Sequence, residues 1–156
     1  MQFIIKSLFI GAMLTICAGT AFAADPAVGT WNLNLAKSTF SPGPAPKSQT
    51  RTYAESAQGT TVTTKTTAAD GKESTTTLTF KDDGKPYPIA GSSNADMVSI
   101  TRVDAWTIHG TQTKAGAVVG TVVRSVSKDG KTLTLKQTGT RTNGLKFDDV
   151  LVYDRQ

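Results

Sequence analysis

The sequence predicts an all-β fold, an antiparallel meander of roughly 8–10 strands that closes into a small barrel. Three observations predict it. No long apolar pattern with a helical period follows Asp25-Pro26, short β-rich runs recur along the chain, and turn dipeptides separate these runs. Closure is expected because it leaves no exposed strand edges. A two-sheet β-sandwich is the main alternative.

Turn dipeptides set the boundaries of the predicted strands, because Gly and Asn tolerate the positive φ of hairpin turns. Asp-Gly or Asn-Gly pairs lie at 70–71, 83–84, 129–130 and 143–144, and Ala115-Gly116 is a weaker example. Between them we predict nine strands, at 29–35, 50–56, 60–68, 73–80, 97–103, 105–114, 118–127, 132–141 and 146–154.

Alternation along a strand predicts which side chains share a face. One shared face of the strand at 118–127 carries Val118, Val122, Arg124 and Val126, and one face of the last strand carries Phe147, Leu151 and Tyr153. The threonine-rich strands at 60–67 and 75–79 combine β propensity with a polar hydroxyl, so we expect them to face water broadly.

The first 23 residues have the features of a secretory signal. Lys6 precedes an apolar run, and Ala21-Phe22-Ala23 is a small-x-small cleavage site. The run is shorter than the roughly 20 apolar residues of a membrane span. We therefore expect cleavage near Ala23, a single domain at 24–156, no integral membrane segment in the mature form, and a periplasmic or secreted location.

Composition limits the chemistry of this domain. Cys17, the only cysteine, lies in the signal segment, so the mature chain has no disulfide and no thiolate nucleophile. The net charge is +5, with Lys6 counted, and its lysines are scattered rather than arranged in a basic stripe with aromatics. We expect no nucleic acid, no metal and no cofactor as partner.

Candidate catalytic groups are few. His109 is the only histidine, and no serine lies in a Gly-x-Ser-x-Gly turn. Neighbouring carboxylates such as Asp148 and Asp149 point to opposite faces of a strand, so they cannot serve one substrate together. We therefore expect that the protein is not an enzyme.

Two segments are predicted to be long loops. Residues 41–47 form a proline-rich connection that cannot be a helical lid, and residues 85–95 contain Pro86, Pro88 and a Gly-Ser-Ser-Asn run. Long loops at the mouth of a barrel are common functional sites. A protein-interaction or inhibitor module that acts through these loops is therefore one candidate function.

The segment Val28-Gly29-Thr30-Trp31-Asn32-Leu33 resembles the first strand of the calycin superfamily, the lipocalins and fatty-acid-binding proteins. Two further pieces resemble the fatty-acid-binding branch, Val122-Val123-Arg124 with the hairpin at 129–135, and the terminal Val152-Tyr153-Asp154. Residues 29–48 also resemble the start of small exported bacterial proteins of uncharacterised function. The resemblance implies a lipocalin-like barrel with Trp31 at its closed end, under an arginine such as Arg124 or Arg155.

The resemblance also implies ligand-contacting residues. In the fatty-acid-binding branch, the residues that match Arg124 and Tyr153 help to hold a carboxylate, with a second arginine two positions before the tyrosine; this chain has Leu151 there. The aromatic residues either line a pocket or fill a dry core. We take Arg124, Tyr153 and Trp106 as candidate ligand-binding residues, and a small, largely apolar molecule as the expected ligand.

Overall fold

The computed structural model describes residues 24–156, so the signal predicted at 1–23 and its cleavage site lie outside the described residues. Ten strands make up the domain: β1 (Gly29–Leu33), β2 (Ser48–Ser56), β3 (Gly59–Thr67), β4 (Glu73–Phe80), β5 (Asp83–Ala90), β6 (Met97–Arg102), β7 (Thr107–Lys114), β8 (Ala117–Val126), β9 (Thr132–Thr140) and β10 (Lys146–Arg155). A single 3₁₀ turn, Leu35–Lys37, follows β1 in this part of the chain.

The strands form one closed antiparallel barrel in which each strand pairs with its neighbours in sequence. Closure depends on β1, which pairs with β2 on one side and with β10 on the other, so that Trp31 lies opposite both Arg51 and Arg155. The predicted all-β meander is confirmed, and the barrel replaces the alternative β-sandwich. Within residues 24–156, no helix is both long enough and apolar enough to cross a bilayer.

Strand β5 corrects the prediction of a loop at 85–95. Residues 85–90 belong to a strand, and only the segment after Ala90 forms the connection to β6. Ile89 donates its N–H to Asp96 of the β6 side, so the nitrogens of Pro86 and Pro88 point towards β4. Pairing with β4 is accordingly restricted to two register pairs, at Thr77 and Leu78. Prolines are tolerated here because few ladder hydrogen bonds are needed on that side.

A β-bulge corrects the predicted face of Val118. The register between β7 and β8 shifts by one residue, since Gln112 lies opposite Gly120 whereas Thr113 lies opposite Val118. Val119 is the extra residue, and side chains on its two sides change face. Val118 is therefore 67% exposed, whereas Val122, Arg124 and Val126 share one face as predicted, and that face points inward.

One end of the barrel is closed around Trp31, which is completely buried. Its indole Nε1 donates to the carbonyl oxygen of Ala27 at 2.7 Å. The Arg155 guanidinium lies 4.2 Å from the centre of the ring and donates to the carbonyls of Pro26, Val28 and Gly130. The position implied for Trp31, under an arginine, is confirmed with Arg155 in that role.

The threonine-rich strands have two different faces, contrary to the expectation that they face water broadly. Thr64 is buried, and Thr66 and Thr76 line the interior. On the outside, the Thr61 and Thr79 hydroxyls lie 2.8 Å apart across β3 and β4. One side of these strands therefore supplies polar groups to the interior of the barrel.

Candidate functional site

The barrel encloses a cavity of about 630 Å³. This volume lies within the range of roughly 300–1,000 Å³ that is typical of small-molecule sites. One part of its walls is aliphatic and aromatic, and includes Val62, Leu78, Ile89, Val98, Ile100, Ile108, Val122, Leu135, Leu151, Phe80 and Phe147. The other part is polar, with threonine, serine, glutamine and asparagine side chains, three arginines and Asp149. The interior is therefore partly packed, at the Trp31 end, and partly open.

The mouth of the cavity is formed by the connections β3–β4, β5–β6 and β9–β10, together with residues 41–47. Thr39 extends the edge of β1 by an isolated bridge to Val150 of β10, and the proline-rich segment then crosses to β2. Pro44 and Pro46 of this segment line the cavity, and so does Phe40 just before it. We call residues 41–47 the mouth strap.

Asp149 of β10 holds the start of the mouth strap to the barrel. Asp149 accepts a hydrogen bond from the backbone N–H of Ser41 at 2.9 Å. The same carboxylate lies 3.7 Å from the Arg141 guanidinium, which also lies over the ring of Phe147 at 5.2 Å. The strap is therefore fixed at its start by β10, and the charge of Arg141 has a carboxylate partner.

The inner part of the cavity contains Arg124, whose side chain is almost completely buried. Its Nη2 donates to both carboxylate oxygens of Asp25, each at 2.9 Å. Asp25 also accepts from Arg102 at 3.0 Å, and Arg102 continues to Asp82 at 2.6 Å. Two arginines and two aspartates thus form a neutral network, which we call the closed-end network, and it ties the N-terminal segment to β6 and β8.

The Asp25 carboxyl is ionised in this network. Burial disfavours its charge, but the charge of Arg124 and hydrogen bonds from Ala27, Arg124 and Arg102 outweigh burial, so the pKa of Asp25 lies below its usual value. Arg124 Nε and Nη1 have no hydrogen-bond partner among the described residues, and the guanidinium lies 5.4 Å from the centre of the Tyr53 ring. The Asp25 carboxylate thus balances the charge of Arg124, while Nε and Nη1 can still donate hydrogen bonds.

A second polar group lies on the β1–β2 side of the cavity, where Gln49, Arg51 and Tyr53 alternate along the inward face of β2. Arg51 Nε donates to the Tyr53 hydroxyl at 3.1 Å, and its guanidinium lies 5.5 Å from the Tyr53 ring centre. Tyr153 donates its hydroxyl proton to Gln49 Oε1. Burial raises the pKa of Tyr153 to about 12, although the nearby charge of Arg51 partly offsets this rise.

The predicted site residues do not all lie at the cavity. Arg124 lines the cavity, and Tyr153 is buried beside it and touches the lining through Gln49. Trp106 lies at the opposite end, in the turn before β7, where it borders a separate cleft with Asp82 and Arg102. His109 is exposed on the outer wall, as expected for a residue on a threonine-rich face.

Sequence reasoning missed Arg51 and Gln49. Their signal is the alternating pattern Gln49-x-Arg51-x-Tyr53, which places two long polar side chains on the same face as a tyrosine. Leu151 lines the cavity at the position where the resemblance implies an arginine, and Arg51 supplies a guanidinium from another strand. Among residues 24–156, no group of three or more His, Cys, Asp or Glu side chains is arranged to hold a metal ion.

Comparisons with known proteins do not assign a family to this chain. No protein-family model matches the chain, and the search of curated proteins finds no significant match. The function is therefore inferred from the barrel, its cavity and the groups that line it.

Proposed function

We propose that this protein is an exported calycin-like barrel, located in the periplasm or secreted, that binds a small, largely apolar molecule. The cavity of about 630 Å³ inside a closed barrel carries this proposal. Support for the calycin likeness comes from the Gly-Thr-Trp strand, with Trp31 buried beneath Arg155 at the closed end. Support for export comes from the signal-like sequence before residue 24.

The proposed role is binding without catalysis. The cavity walls supply a large apolar surface, whose removal from water favours the transfer of an apolar ligand. Arg124 and Gln49, which is hydrogen-bonded to the buried Tyr153, are among the polar groups that orient it. His109, the natural base near neutral pH, lies on the outer wall rather than in the cavity.

Two measurements test this function. Mass spectrometry of organic extracts of the natively purified protein identifies a co-purified molecule, and titration with a fluorescent apolar dye measures saturable binding. Val122→Phe places a larger side chain in the cavity from β8, so we expect dye binding to fall at least about tenfold while the fold is kept. Val123→Phe, on the opposite face of the same strand, is the matched control.

The result that would overturn the proposal is equally definite. Absence of saturable dye binding in the wild type, or unchanged binding in Val122→Phe, excludes the cavity as the binding site. A co-purified molecule that is strongly polar throughout would exclude the apolar class of ligand.

A second candidate function is a protein-interaction or inhibitor module that acts through the mouth. One observation favours it: Pro44 and Pro46 of the mouth strap, and Ser92, Ser93 and Asn94 of the β5–β6 connection, line the same opening. The interaction surface is then 41–47 with 91–95, since 85–90 is a strand. Replacing both segments by short Gly-Ser linkers is expected to abolish recovery of an envelope partner, and recovery by the replaced variant refutes this function.

A further inference from the structure

The inner wall of the barrel changes from apolar to polar between the closed end and the mouth. On β4 the inward side chains change from Phe80 and Leu78 to Thr76, and on β9 they change from Leu135 to Gln137. The polar layer, which we call the polar collar, consists of neutral side chains on five strands: Gln49, Thr64, Thr66, Thr76, Gln112 and Gln137. It lies between the apolar part of the wall and the mouth.

The polar collar surrounds the cavity. Strands β4 and β9 lie five positions apart in the closed order of ten strands, and so do β2 and β7. Thr76 and Gln137 therefore lie on opposite walls of the barrel, and so do Gln49 and Gln112. A ligand group at this level can be contacted from both sides.

Part of the hydrogen-bonding capacity of the polar collar is open. Gln49 donates from Nε2 to the Thr66 hydroxyl at 2.8 Å and accepts from Tyr153, so this amide is engaged. Gln112 and Gln137 make no side-chain hydrogen bond to another of the described residues, and their polar atoms are not among those sealed from water. A purely apolar ligand at this level would displace that water without replacing its hydrogen bonds, which weakens binding.

The arginines that line the cavity are engaged by other groups of the protein. Arg124 and Arg141 each have a carboxylate partner, and Arg51 donates hydrogen bonds to the phenol oxygens of Tyr53 and Tyr153. The open groups at the level of the polar collar are therefore neutral amides and hydroxyls. A ligand hydroxyl both donates and accepts and so matches such groups, whereas a carboxylate only accepts.

We propose that the ligand is an uncharged amphiphile, a hydrocarbon chain with a hydroxylated head group of the polyol or sugar class, and that the polar collar binds the head group. The proposal rests on the proposed function and makes it more specific. The chain lies against the apolar part of the wall, which includes Leu78, Ile100 and Leu135, and the head group lies next to the mouth. Hydrogen bonds to neutral side chains, rather than a charge, then select the ligand.

The test uses 1-O-decylglycerol and its di-O-methyl ether, which share a decyl chain and differ in the free hydroxyls of the head group. Each probe displaces a fluorescent dye from the purified protein at pH 7.5. A cavity without hydrogen-bonding groups would favour the ether, because its head group is easier to remove from water. We expect the polar collar to favour 1-O-decylglycerol by roughly tenfold, the gain of one or two net hydrogen bonds. Decanoate is expected to bind no more tightly than 1-O-decylglycerol.

A double variant tests the two open amides. Gln112→Leu combined with Gln137→Leu replaces both amides with apolar side chains of similar size. We expect the preference for 1-O-decylglycerol to fall at least about fivefold, while the affinity for the ether does not fall, which shows that the cavity is intact. Gln58→Leu makes the same change in the exposed turn between β2 and β3, at the closed end, and is expected to keep the preference.

Thr76→Val covers the case in which the double variant does not fold. It removes one hydroxyl from the opposite wall and keeps the shape of the side chain, so the preference is expected to fall about two- to fivefold. Thr75→Val, on the outer face of the same strand, is the matched control and is expected to change nothing.

Three results overturn the inference: equal affinities of the two neutral probes in the wild type, tighter binding of the ether or of decanoate than of 1-O-decylglycerol, or an undiminished preference in the double variant. Where the double variant does not fold, an undiminished preference in Thr76→Val has the same meaning. Failure of all three probes to displace the dye instead overturns the proposed function.

Discussion

Removal of the Asp25 charge tests how the closed end of the barrel is held together. In Asp25→Asn, an amide NH₂ replaces one carboxylate oxygen, and it faces the donors of Arg124 or Arg102. The side chains of Asp25 and Arg124 are both only 2% exposed, so water cannot compensate the lost charge. Breaking a buried pair in this way costs about 3–5 kcal/mol of unfolding free energy. For a domain of this size, the melting temperature should fall by roughly 10–20 °C.

The assay is urea denaturation followed by tryptophan fluorescence, since Trp31 is buried at this end and is bonded to Ala27, two residues from Asp25. Asp70→Asn is the matched control, because Asp70 forms an exposed pair with Lys72 and an exposed pair contributes less than about 1 kcal/mol. Asp25→Asn combined with Arg124→Met removes both charges, so we expect it to regain much of the loss.

The pH dependence follows from the lowered pKa of Asp25. A carboxyl whose folded pKa is below its unfolded value contributes stability that is present above the unfolded pKa, about 4, and is lost as the pH falls through the folded pKa. The difference between the wild type and Asp25→Asn should therefore be largest near pH 7 and shrink below pH 4. A difference under about 1 kcal/mol at pH 7, or a double variant as unstable as the sum of its single variants, would refute the network.

Three further substitutions have distinct expected results. Burial raises the pKa of Tyr153 to about 12, from about 10 in the unfolded chain. The stability that this difference contributes is present below pH 10 and is lost as the pH rises towards 12. Between these two pH values, the free energy of unfolding measured with guanidinium should therefore decrease by about 2–3 kcal/mol more in the wild type than in Tyr153→Phe. Arg155→Met removes the cation that lies 4.2 Å from the Trp31 ring, so unfolding should become about 1–2 kcal/mol easier and native emission should shift to the red; unchanged emission contradicts the contact. A Cβ at Gly139 would lie 2.3 Å from the carbonyl oxygen of Val119, so Gly139→Ala should cost about 1–3 kcal/mol in urea denaturation, and a neutral effect contradicts this close approach of β8 and β9.

Local patterns predicted most of the barrel correctly because its turns and strands are encoded over a few residues. Glycines 71, 130 and 144 adopt positive φ at the predicted turns, where their lack of a Cβ is needed. Strand β4 has the predicted bounds, and the other eight predicted strands match to within about two residues.

The errors arose where a distant part of the chain decides the local structure. Pro86 and Pro88 argue against a strand. Strand β5 nevertheless forms because it pairs with β6 at four positions, while its pairing with β4 is limited to two. Val118 follows the alternation of β8 in sequence, and the bulge that turns it outward is visible only in the register with β7.

Alternation and turn chemistry act over short distances, so the antiparallel meander, the first strand around Trp31 and the face that Arg124 shares with Val122 and Val126 could be predicted from the sequence. The tertiary structure alone decided that β1 joins β2 and β10, that a cavity of about 630 Å³ remains, and that Trp106 lies outside it. It also decided that Arg124 has a carboxylate partner. Arg124 meets Asp25 across 99 positions of sequence, and only the closed barrel brings these two residues together.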